Sequence, residues 1–178
     1  KSLPKFISPV FSYKDSNVKK LIWAFKYSNK KQLAPLLAQS MQDTLQATFS
    51  DLYEIKGVRS VLVLPIPLHT TRYREREYNQ SELLVREVFQ STENNTLVAD
   101  YSLLVRRKKT PPNAKSQSRR ERALNTIGSF EVSDYSKVSG RHIILVDDVV
   151  TTGTTLSEAR KVLLSAGART VNAVTLAH

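Results

Sequence analysis

The sequence predicts an α/β domain with a mostly parallel central sheet of about five strands, flanked by helices. Two observations carry this prediction. Short apolar runs bounded by Gly, Pro or polar residues alternate along the chain with longer segments whose apolar residues recur every three or four positions. The chain of 178 residues also has the usual length of one domain, so we expect a single domain over residues 1–178.

The first helix is predicted over residues 16–27, where the apolar residues follow an i, i+3, i+4, i+7 pattern. Asp15 or Ser16 is expected to cap this helix, because both side chains accept hydrogen bonds from the first free backbone amides. Three lysines lie off the apolar stripe, and we expect them on a solvated face: Lys19, Lys20 and Lys26.

The remaining elements are predicted in this order: a helix over 32–49, a strand over 60–64 ended by Pro65-Ile66-Pro67, a helix over 80–90, a strand over 102–106, a strand over 142–146, a helix over 154–166 that ends at Gly167, and a strand over 170–176. Residues 107–122 are expected to form a long basic loop. We interpret residues 1–50 as a helical, N-terminal hood and residues 58–178 as the core of the domain.

The formal net charge of +11 indicates a polyanion-binding protein only if the basic residues cluster, and they do. Residues 1–31 hold eight Lys and one Asp, and residues 104–122 hold eight basic residues and one Glu, so each block carries +7. Cysteine is absent, which excludes disulfides, thiol nucleophiles and thiolate metal sites in these residues. No apolar run approaches the roughly 20 residues that span a bilayer, so we expect a cytoplasmic protein without membrane insertion.

The most informative segment is residues 146–155, where a buried strand ends in two carboxylates and a loop of small residues opens a helix. Ligands of open α/β sheets bind at the carboxyl ends of strands, and a helix N-terminus favours phosphate. The carboxylates of Asp147 and Asp148 suit sugar hydroxyls, or a Mg²⁺ ion that also contacts the phosphates of the ligand. The segment is neither a Walker A loop nor a GxGxxG dinucleotide loop. Its candidate phosphate-binding residues are Thr151, Thr152, Gly153, Thr154 and Thr155.

This segment resembles the signature of type I phosphoribosyltransferases, which bind 5-phosphoribosyl-1-pyrophosphate (PRPP). The resemblance implies a type I phosphoribosyltransferase-like fold, in which Asp147 and Asp148 contact the ribose hydroxyls and take part in catalysis. It implies that the following loop holds the 5-phosphate. It also implies Mg²⁺ as the cofactor, with the same two carboxylates as candidate metal ligands.

Two further segments resemble the ComF family more narrowly. Residues 64–80 are similar to the PxPL and RGFNQ signature of that family, and residues 106–113 are similar to its next block. The loop after residue 64 is expected beside the motif, where related enzymes bind pyrophosphate, and an arginine there would be a charge-assisted donor. The candidates from this loop are Arg76 as a catalytic residue and Pro65, Ile66, Pro67, Asn79 and Gln80 as ligand-binding residues.

The basic loop leaves three interpretations open. It falls where related enzymes have a flexible loop that closes over PRPP, where its cations would neutralise departing pyrophosphate. It is otherwise a solvated charge run, or it contacts the phosphates of single-stranded DNA, with Tyr73 and Tyr78 as candidates for stacking on bases. The candidate nucleic-acid residues are Arg106, Arg107, Lys108, Lys109, Lys115, Arg119, Arg120 and Arg122.

The resemblance implies two functions from different classes. The first is an enzyme that transfers phosphoribose from Mg²⁺-PRPP to an acceptor and releases pyrophosphate. The second is a non-enzymatic protein of natural competence that handles single-stranded DNA during DNA uptake, with a protein of the competence machinery as a further candidate partner. Members of the family usually carry an N-terminal module with paired CxxC motifs, so zinc is expected only if such a module lies upstream of this chain.

Overall fold

The computed structural model describes residues 3–28, 30–68, 73, 78–90, 96–107 and 126–178, of which residues 55 and 56 are described in their backbone only. Within these ranges the strands are β1 (Ile7–Phe11), β2 (Val61–Pro65), β3 (Leu97–Ala99), β4 (Leu104–Arg106), β5 (Phe130–Val132), β6 (His142–Val149) and β7 (Thr170–Ala177). The helices are α1 (Ser16–Tyr27), α2 (Ala34–Lys56), α3 (Gln80–Gln90), α4 (Tyr135–Val138) and α5 (Thr154–Ser165), and a 3-10 turn (Lys31–Leu33) precedes α2.

A five-stranded sheet in the order β1-β7-β6-β2-β3 forms the centre of the domain, and neighbouring strands in it are parallel throughout. Strands β4 and β5 form a separate antiparallel ribbon. The predicted α/β architecture, with a mostly parallel central sheet flanked by helices, is therefore confirmed.

Both faces of this sheet are covered. Ile144 and Val146 of β6 belong to one apolar cluster with α1, α2 and α3, whereas Ile143 and Leu145 belong to another with α5 and the ribbon. This alternation follows from the two-residue period of a strand, and a continuous apolar run suits a strand that is buried on both faces. The apolar run of β6 ends where its polar residues begin, at the carboxyl edge of the sheet.

The predicted bounds of α1 are confirmed, and the Asp15 side chain caps it. Helix α2 extends past Phe49, the predicted end, because its apolar stripe continues through the buried Leu52. Gly57 then ends α2 with a left-handed φ of 62°. None of the helices in the described ranges combines the length and the apolar composition needed to cross a membrane.

Strand β1 differs from the prediction, which had no strand before residue 60. Residues Ile7–Phe11 form the edge strand beside β7, although Ser8 and Pro9 interrupt their apolar pattern. An edge strand tolerates proline, because one side of its backbone has no ladder partner. The N-terminal part of the described chain therefore contributes a strand to the central sheet as well as helices.

The strand predicted over 102–106 is also different in its placement. Only Leu104–Arg106 is a strand, and it pairs with β5 in the ribbon rather than with the central sheet. Strands β3 and β5 and helix α4 are not predicted from the sequence, because elements of three or four residues are too short to show a period.

Gly153, just before α5, is expected to tolerate substitution less well than Gly140. Both have left-handed φ angles, +74° and +71°, so alanine strains the backbone at either position. A Cβ at position 153 would also lie 3.1 Å from Ile7 Cδ1 and 3.2 Å from Pro4 Cδ, whereas nothing lies within 4 Å at position 140. We predict that Gly140→Ala lowers the free energy of unfolding by about 1 kcal/mol and Gly153→Ala by about 2–3 kcal/mol in urea denaturation. Equal losses would contradict this packing.

Candidate functional site

The candidate site lies at the carboxyl edge of the central sheet, where the ends of β2 and β6 are adjacent. Pro65, the last residue of β2, is in register with Val146 of β6. The backbone amide of Ile66 then donates to the Val146 carbonyl at 2.9 Å. The end of β2 with the loop after it (residues 65–67) and the segment over residues 146–155 therefore meet at one edge of the sheet, which is the position where open α/β sheets bind ligands.

Different helices hold the two carboxylates at the end of β6. The half-buried Asp147 accepts through Oδ1 from the Ser81 hydroxyl at 3.0 Å and from the Asp148 amide at 2.9 Å. The buried Asp148 has its Oδ2 atom 3.1 Å from the Lys26 ammonium. Helix α3 thus positions one carboxylate through Ser81, and helix α1 positions the other through Lys26.

The prediction that Lys26 lies on a solvated face of α1 is wrong. Its side chain is only 18% exposed, because it lies in the last turn of α1, which ends next to the carboxyl edge of the sheet. Two contacts from α3 and the residues before it fix the same helix end: the Tyr78 hydroxyl donates to the Phe25 carbonyl, and Gln80 Nε2 donates to the Lys26 carbonyl at 3.5 Å. The helical pattern places Lys26 off the apolar stripe, but it does not reveal the distant carboxylate that pairs with it.

The charges of this cluster influence one another. Burial and, to a smaller extent, the Asp148 carboxylate together raise the pKa of Asp147 to about 7, against the opposing effect of Lys26. Burial alone would lower the pKa of Lys26, but the attraction of Asp148 and Asp147 outweighs it, so that this pKa is raised. Lys26 therefore remains a cation at neutral pH, and Asp147 gains or loses its proton near neutrality.

The loop over residues 150–153 leads into the N-terminus of α5, where the Thr154 amide donates to the Thr152 hydroxyl at 3.4 Å. Gly153 is the N-cap of α5, has a left-handed φ of 74°, and provides no capping side chain. The Thr152 and Thr154 hydroxyls lie 2.8 Å apart and bond to each other. The sequence predicts that Gly153 allows the close approach of a phosphate. The nearest neighbours of an added Cβ are Pro4 and Ile7, so glycine is also required by the packing of the protein itself.

Asn79 and Gln80, two predicted ligand-binding residues, are buried and bonded to the protein backbone. Asn79 Nδ2 donates to the Ile66 carbonyl at 3.0 Å, and its Oδ1 accepts from the Ser81 amide at 3.1 Å. Asn79 therefore fixes the loop after β2 and the start of α3 together. Arg76, the predicted catalytic arginine, lies outside the described residues.

Two of the predicted nucleic-acid residues are described, Arg106 and Arg107, and the others, Lys108, Lys109, Lys115, Arg119, Arg120 and Arg122, lie outside the described residues. Arg107 Nε is 2.8 Å from Glu131 Oε2 across the ribbon, and the Arg106 guanidinium lies 5.2 Å from the centre of the Phe130 ring. The prediction that Tyr78 stacks on bases is wrong, because its ring is buried and packs 6.1 Å from that of Phe25. Tyr73 is exposed.

The residues that the sequence analysis missed are Lys26 and Ser81, which contact the two carboxylates directly. Ser81 follows Asn79 and Gln80 in the chain, so its position next to a predicted loop was the one available signal. Thr175 is a further polar residue beside the site. It is in register with Asp147 on the neighbouring strand, and its buried hydroxyl has no hydrogen-bond partner among the described residues.

The raised pKa of Asp147 predicts a pH-dependent stability. A carboxyl group whose pKa is raised in the folded state stabilises the fold below its ordinary pKa of 3.8, and this contribution is lost as the pH rises through about 7. The substitution Asp147→Asn removes this titrating group. We therefore expect the change that it causes in the free energy of unfolding to be more stabilising at pH 8 than at pH 5, by on the order of 1–2 kcal/mol, in urea denaturation without divalent metal.

Asp134→Asn is the matched control for this measurement. Asp134 is the half-buried cap of α4, and its hydrogen bonds to Ser136 lower its pKa. The contribution of the Asp134 carboxylate to stability is complete above pH 5, so Asp134→Asn should change the free energy of unfolding by the same amount at pH 5 and at pH 8. A pH-independent effect of Asp147→Asn would show that Asp147 is ionised throughout this range.

Several known proteins are similar in sequence to this chain over most of its length. The family model described as the phosphoribosyl transferase domain matches residues 74–178. Competence protein F of Haemophilus influenzae is 28% identical over 163 residues, which cover 89% of this chain and 66% of that protein. The DNA utilization protein YhgH of Salmonella typhimurium is 30% identical over 152 residues, which cover 85% of this chain and 63% of that protein. Competence protein ComFC of Bacillus subtilis is 29% identical over 168 residues, covering 94% of this chain and 62% of that protein.

The chain thus spans somewhat less than two thirds of the length of the curated relatives that it matches. Among solved structures, the allosteric regulatory enzyme of purine biosynthesis matches 86% of this chain and 30% of its own, with 16% identity and a TM-score of 0.45. The family model covers more than half of the chain and includes the whole segment from the end of β6 into α5. The chain therefore belongs to the phosphoribosyl transferase domain family, has the type I phosphoribosyltransferase fold, and is a member of the ComF family within it.

Proposed function

We propose that this chain binds PRPP and transfers its phosphoribosyl group to an acceptor, with release of pyrophosphate. The observation that carries the proposal is the adjacency of two carboxylates, Asp147 and Asp148, and the N-terminus of α5, whose N-cap residue Gly153 has no side chain to cap it. Carboxylates accept hydrogen bonds from sugar hydroxyls and helix amides bind phosphate, so the two features fit a molecule that contains both groups. Membership of the phosphoribosyl transferase family supports the same ligand.

In the proposed complex, the ribose 2′- and 3′-hydroxyls donate to Asp147 and Asp148. The 5-phosphate accepts from the first backbone amides of α5 and from the threonine hydroxyls of residues 151–155. The pyrophosphate lies toward residues 65–67, whose loop adjoins the motif at the edge of the sheet. Positioning is the main contribution of the protein, because the transfer needs no covalent intermediate with a side chain.

Lys26 gives the site a charge that suits an anionic ligand. Two bare carboxylates would repel phosphates, but the Lys26 ammonium, 3.1 Å from Asp148 Oδ2, compensates one of them. The remaining negative charge is useful during the reaction, because family members are expected to pass through an oxocarbenium-like transition state. Asp147 and Asp148 then stabilise the positive charge that develops on the ribose.

Mg²⁺ is the cofactor that this function implies. The ion prefers an octahedral shell of oxygen ligands, and the described residues include no group of three or more acidic or histidine side chains suited to a metal. Asp147 and Asp148 would therefore supply part of the shell, with ligand phosphates and water supplying the rest. When bound, the ion neutralises charge on the departing pyrophosphate. Arg76 keeps its predicted role as a second source of positive charge there.

Isothermal titration with PRPP in the presence of Mg²⁺ tests this proposal. We expect binding by the unaltered chain and at least a roughly tenfold loss of affinity in Asp147→Asn and in Asp148→Asn, because an amide is a weaker acceptor than a carboxylate. Lys26→Met should weaken binding by a similar factor, since it leaves Asp148 uncompensated. Absence of binding by the unaltered chain, or unchanged affinity in both aspartate variants, would overturn the proposal.

Lys20→Met is the matched control for Lys26→Met. Lys20 is an exposed residue of the same helix, so its substitution removes the same net charge without touching the ion pair. Equal affinities in the two lysine variants would assign the effect to net charge rather than to the compensation of Asp148. An assay of pyrophosphate release with candidate acceptors then distinguishes a transferase from a protein that only binds PRPP.

We also propose, as a second function, the handling of single-stranded DNA during DNA uptake. Two observations favour it. Relatives of this chain bear the names Competence protein F and DNA utilization protein. Residues 104–122 also carry a charge of +7, which attracts the phosphates of a nucleic acid. The first basic residues of this block, Arg106 and Arg107, lie at the end of the ribbon strand β4.

Fluorescence anisotropy with a labelled oligothymidine tests the second function. Affinity should fall with rising salt, and the double variant Arg106→Ala/Arg107→Ala should bind about tenfold more weakly at low salt. Glu131→Gln should have the opposite effect, because it releases the guanidinium of Arg107 from the carboxylate 2.8 Å away. Affinity that stays flat between low and high salt would exclude this function.

A further inference from the structure

The outer face of α1 exposes two large aromatic side chains. Trp23 is 59% exposed and Tyr27 is 60% exposed, one helical turn apart, with their ring centroids 5.8 Å from each other and tilted by 44°. The opposite face of the helix provides its core contacts through the buried Ile22 and Phe25. Because the burial of such rings is strongly favourable, an exposed pair that is absent from the core points to an external partner.

Lysines surround this aromatic pair. Lys19 and Lys20 are exposed and lie one turn before Trp23, at the i−4 and i−3 positions, so they share its side of the helix. Lys30 and Lys31 are exposed just beyond the C-terminal end of α1. The block over residues 1–31 holds eight Lys and one Asp, and the Asp15 carboxylate is already engaged as the helix cap. The partner of this surface should therefore be an anion that also offers flat, apolar groups.

Single-stranded nucleic acid is the partner that combines these properties. Its phosphates attract lysines, and its unpaired bases present faces on which aromatic rings stack. A duplex offers the same phosphates but hides the base faces within its own stack. A second copy of this chain is disfavoured by the net charge of +11 on each molecule. A lipid surface suits a helix with a broad apolar face, but the aliphatic side chains of α1 are turned toward the core.

We call the surface formed by Lys19, Lys20, Trp23, Tyr27 and Lys30 the aromatic-basic face. We propose that this face binds single-stranded nucleic acid, with bases stacked on the two rings and phosphates held by the lysines. The inference deepens the second function proposed above and rests on it. It assigns the binding of single-stranded nucleic acid to α1, whereas the sequence predicts nucleic-acid-binding residues between positions 106 and 122. Four of the five residues of the aromatic-basic face lie on the same helix as Lys26, so the bound nucleic acid would pass close to the carboxyl edge of the central sheet.

Trp23 provides a local probe, because it is the only tryptophan in the chain. Titration with oligothymidine should quench its fluorescence, since a stacked base contacts the indole directly. An oligomer of the same length made only of abasic sites should bind more weakly and leave the fluorescence unchanged. Equal quenching by the abasic oligomer, or quenching by anionic phospholipid vesicles and not by oligothymidine, would overturn the inference.

Anisotropy with labelled oligothymidine measures the contribution of each side chain. We expect Trp23→Ala and Tyr27→Ala each to weaken binding at least fivefold, and Lys20→Ala to reduce the slope of log affinity against log salt by about 0.7. Tyr53→Ala is the matched control, because Tyr53 is a 57% exposed tyrosine on α2 whose ring lies near that of Phe49. Aromatic variants of α1 that bind as tightly as Tyr53→Ala would refute the inference.

The same titrations keep this inference separate from the function on which it rests. If Arg106→Ala/Arg107→Ala weakens binding and Trp23→Ala does not, the chain binds single strands elsewhere and only the α1 face is excluded. If the unaltered chain binds no oligothymidine, both fail together. Neither result bears on the titration with PRPP, which concerns Asp147 and Asp148.

Discussion

The arrangement of the site depends on the charge balance between two adjacent carboxylates and one ammonium group. Asp147 and Asp148 are adjacent near the end of the buried strand β6, where desolvation and the charge of Asp148 oppose the ionisation of Asp147. Lys26 opposes this effect from α1, and Ser81 donates to Asp147 from α3, so both helix ends are drawn to the same edge of the sheet. The packing of α1 is thus tied to the chemistry of the site, and the helix face that points away from it remains available to other partners.

The two basic regions that the sequence presents as similar charge blocks are different in structure. At the ribbon, Arg107 is paired with Glu131 and Arg106 lies against Phe130, so part of the charge is compensated within the protein. On α1 the exposed lysines flank aromatic rings, and the lysine that is paired, Lys26, contacts the candidate site. Net charge alone does not distinguish these cases, because it records neither the partners of a side chain nor the groups beside it.

Much of the fold could be predicted from the sequence, because β6, β7, α1 and α5 have clear periods and clear ends. The position of Asp147 and Asp148 at a strand end followed from the same patterns. Strand β1 could not be predicted, because Ser8 and Pro9 interrupt its apolar pattern and the strand is recognised only by its pairing with β7. The ion pair of Lys26 and the burial of Tyr78 were equally inaccessible, because both depend on contacts between segments far apart in the chain.

The pairing of β1 with β7 also constrains how the molecule folds. Ile7 is in register with Ala173, so this contact closes nearly the whole described chain into one loop. Contacts of such long sequence separation form slowly, because the entropy of loop closure must be lost before they form. Pro4 and Ile7 rest against Gly153. The loop that precedes α5 is therefore fully packed only after β1 has paired with β7. Because β7 is synthesised long after β1, β1 lacks its partner in the sheet until then.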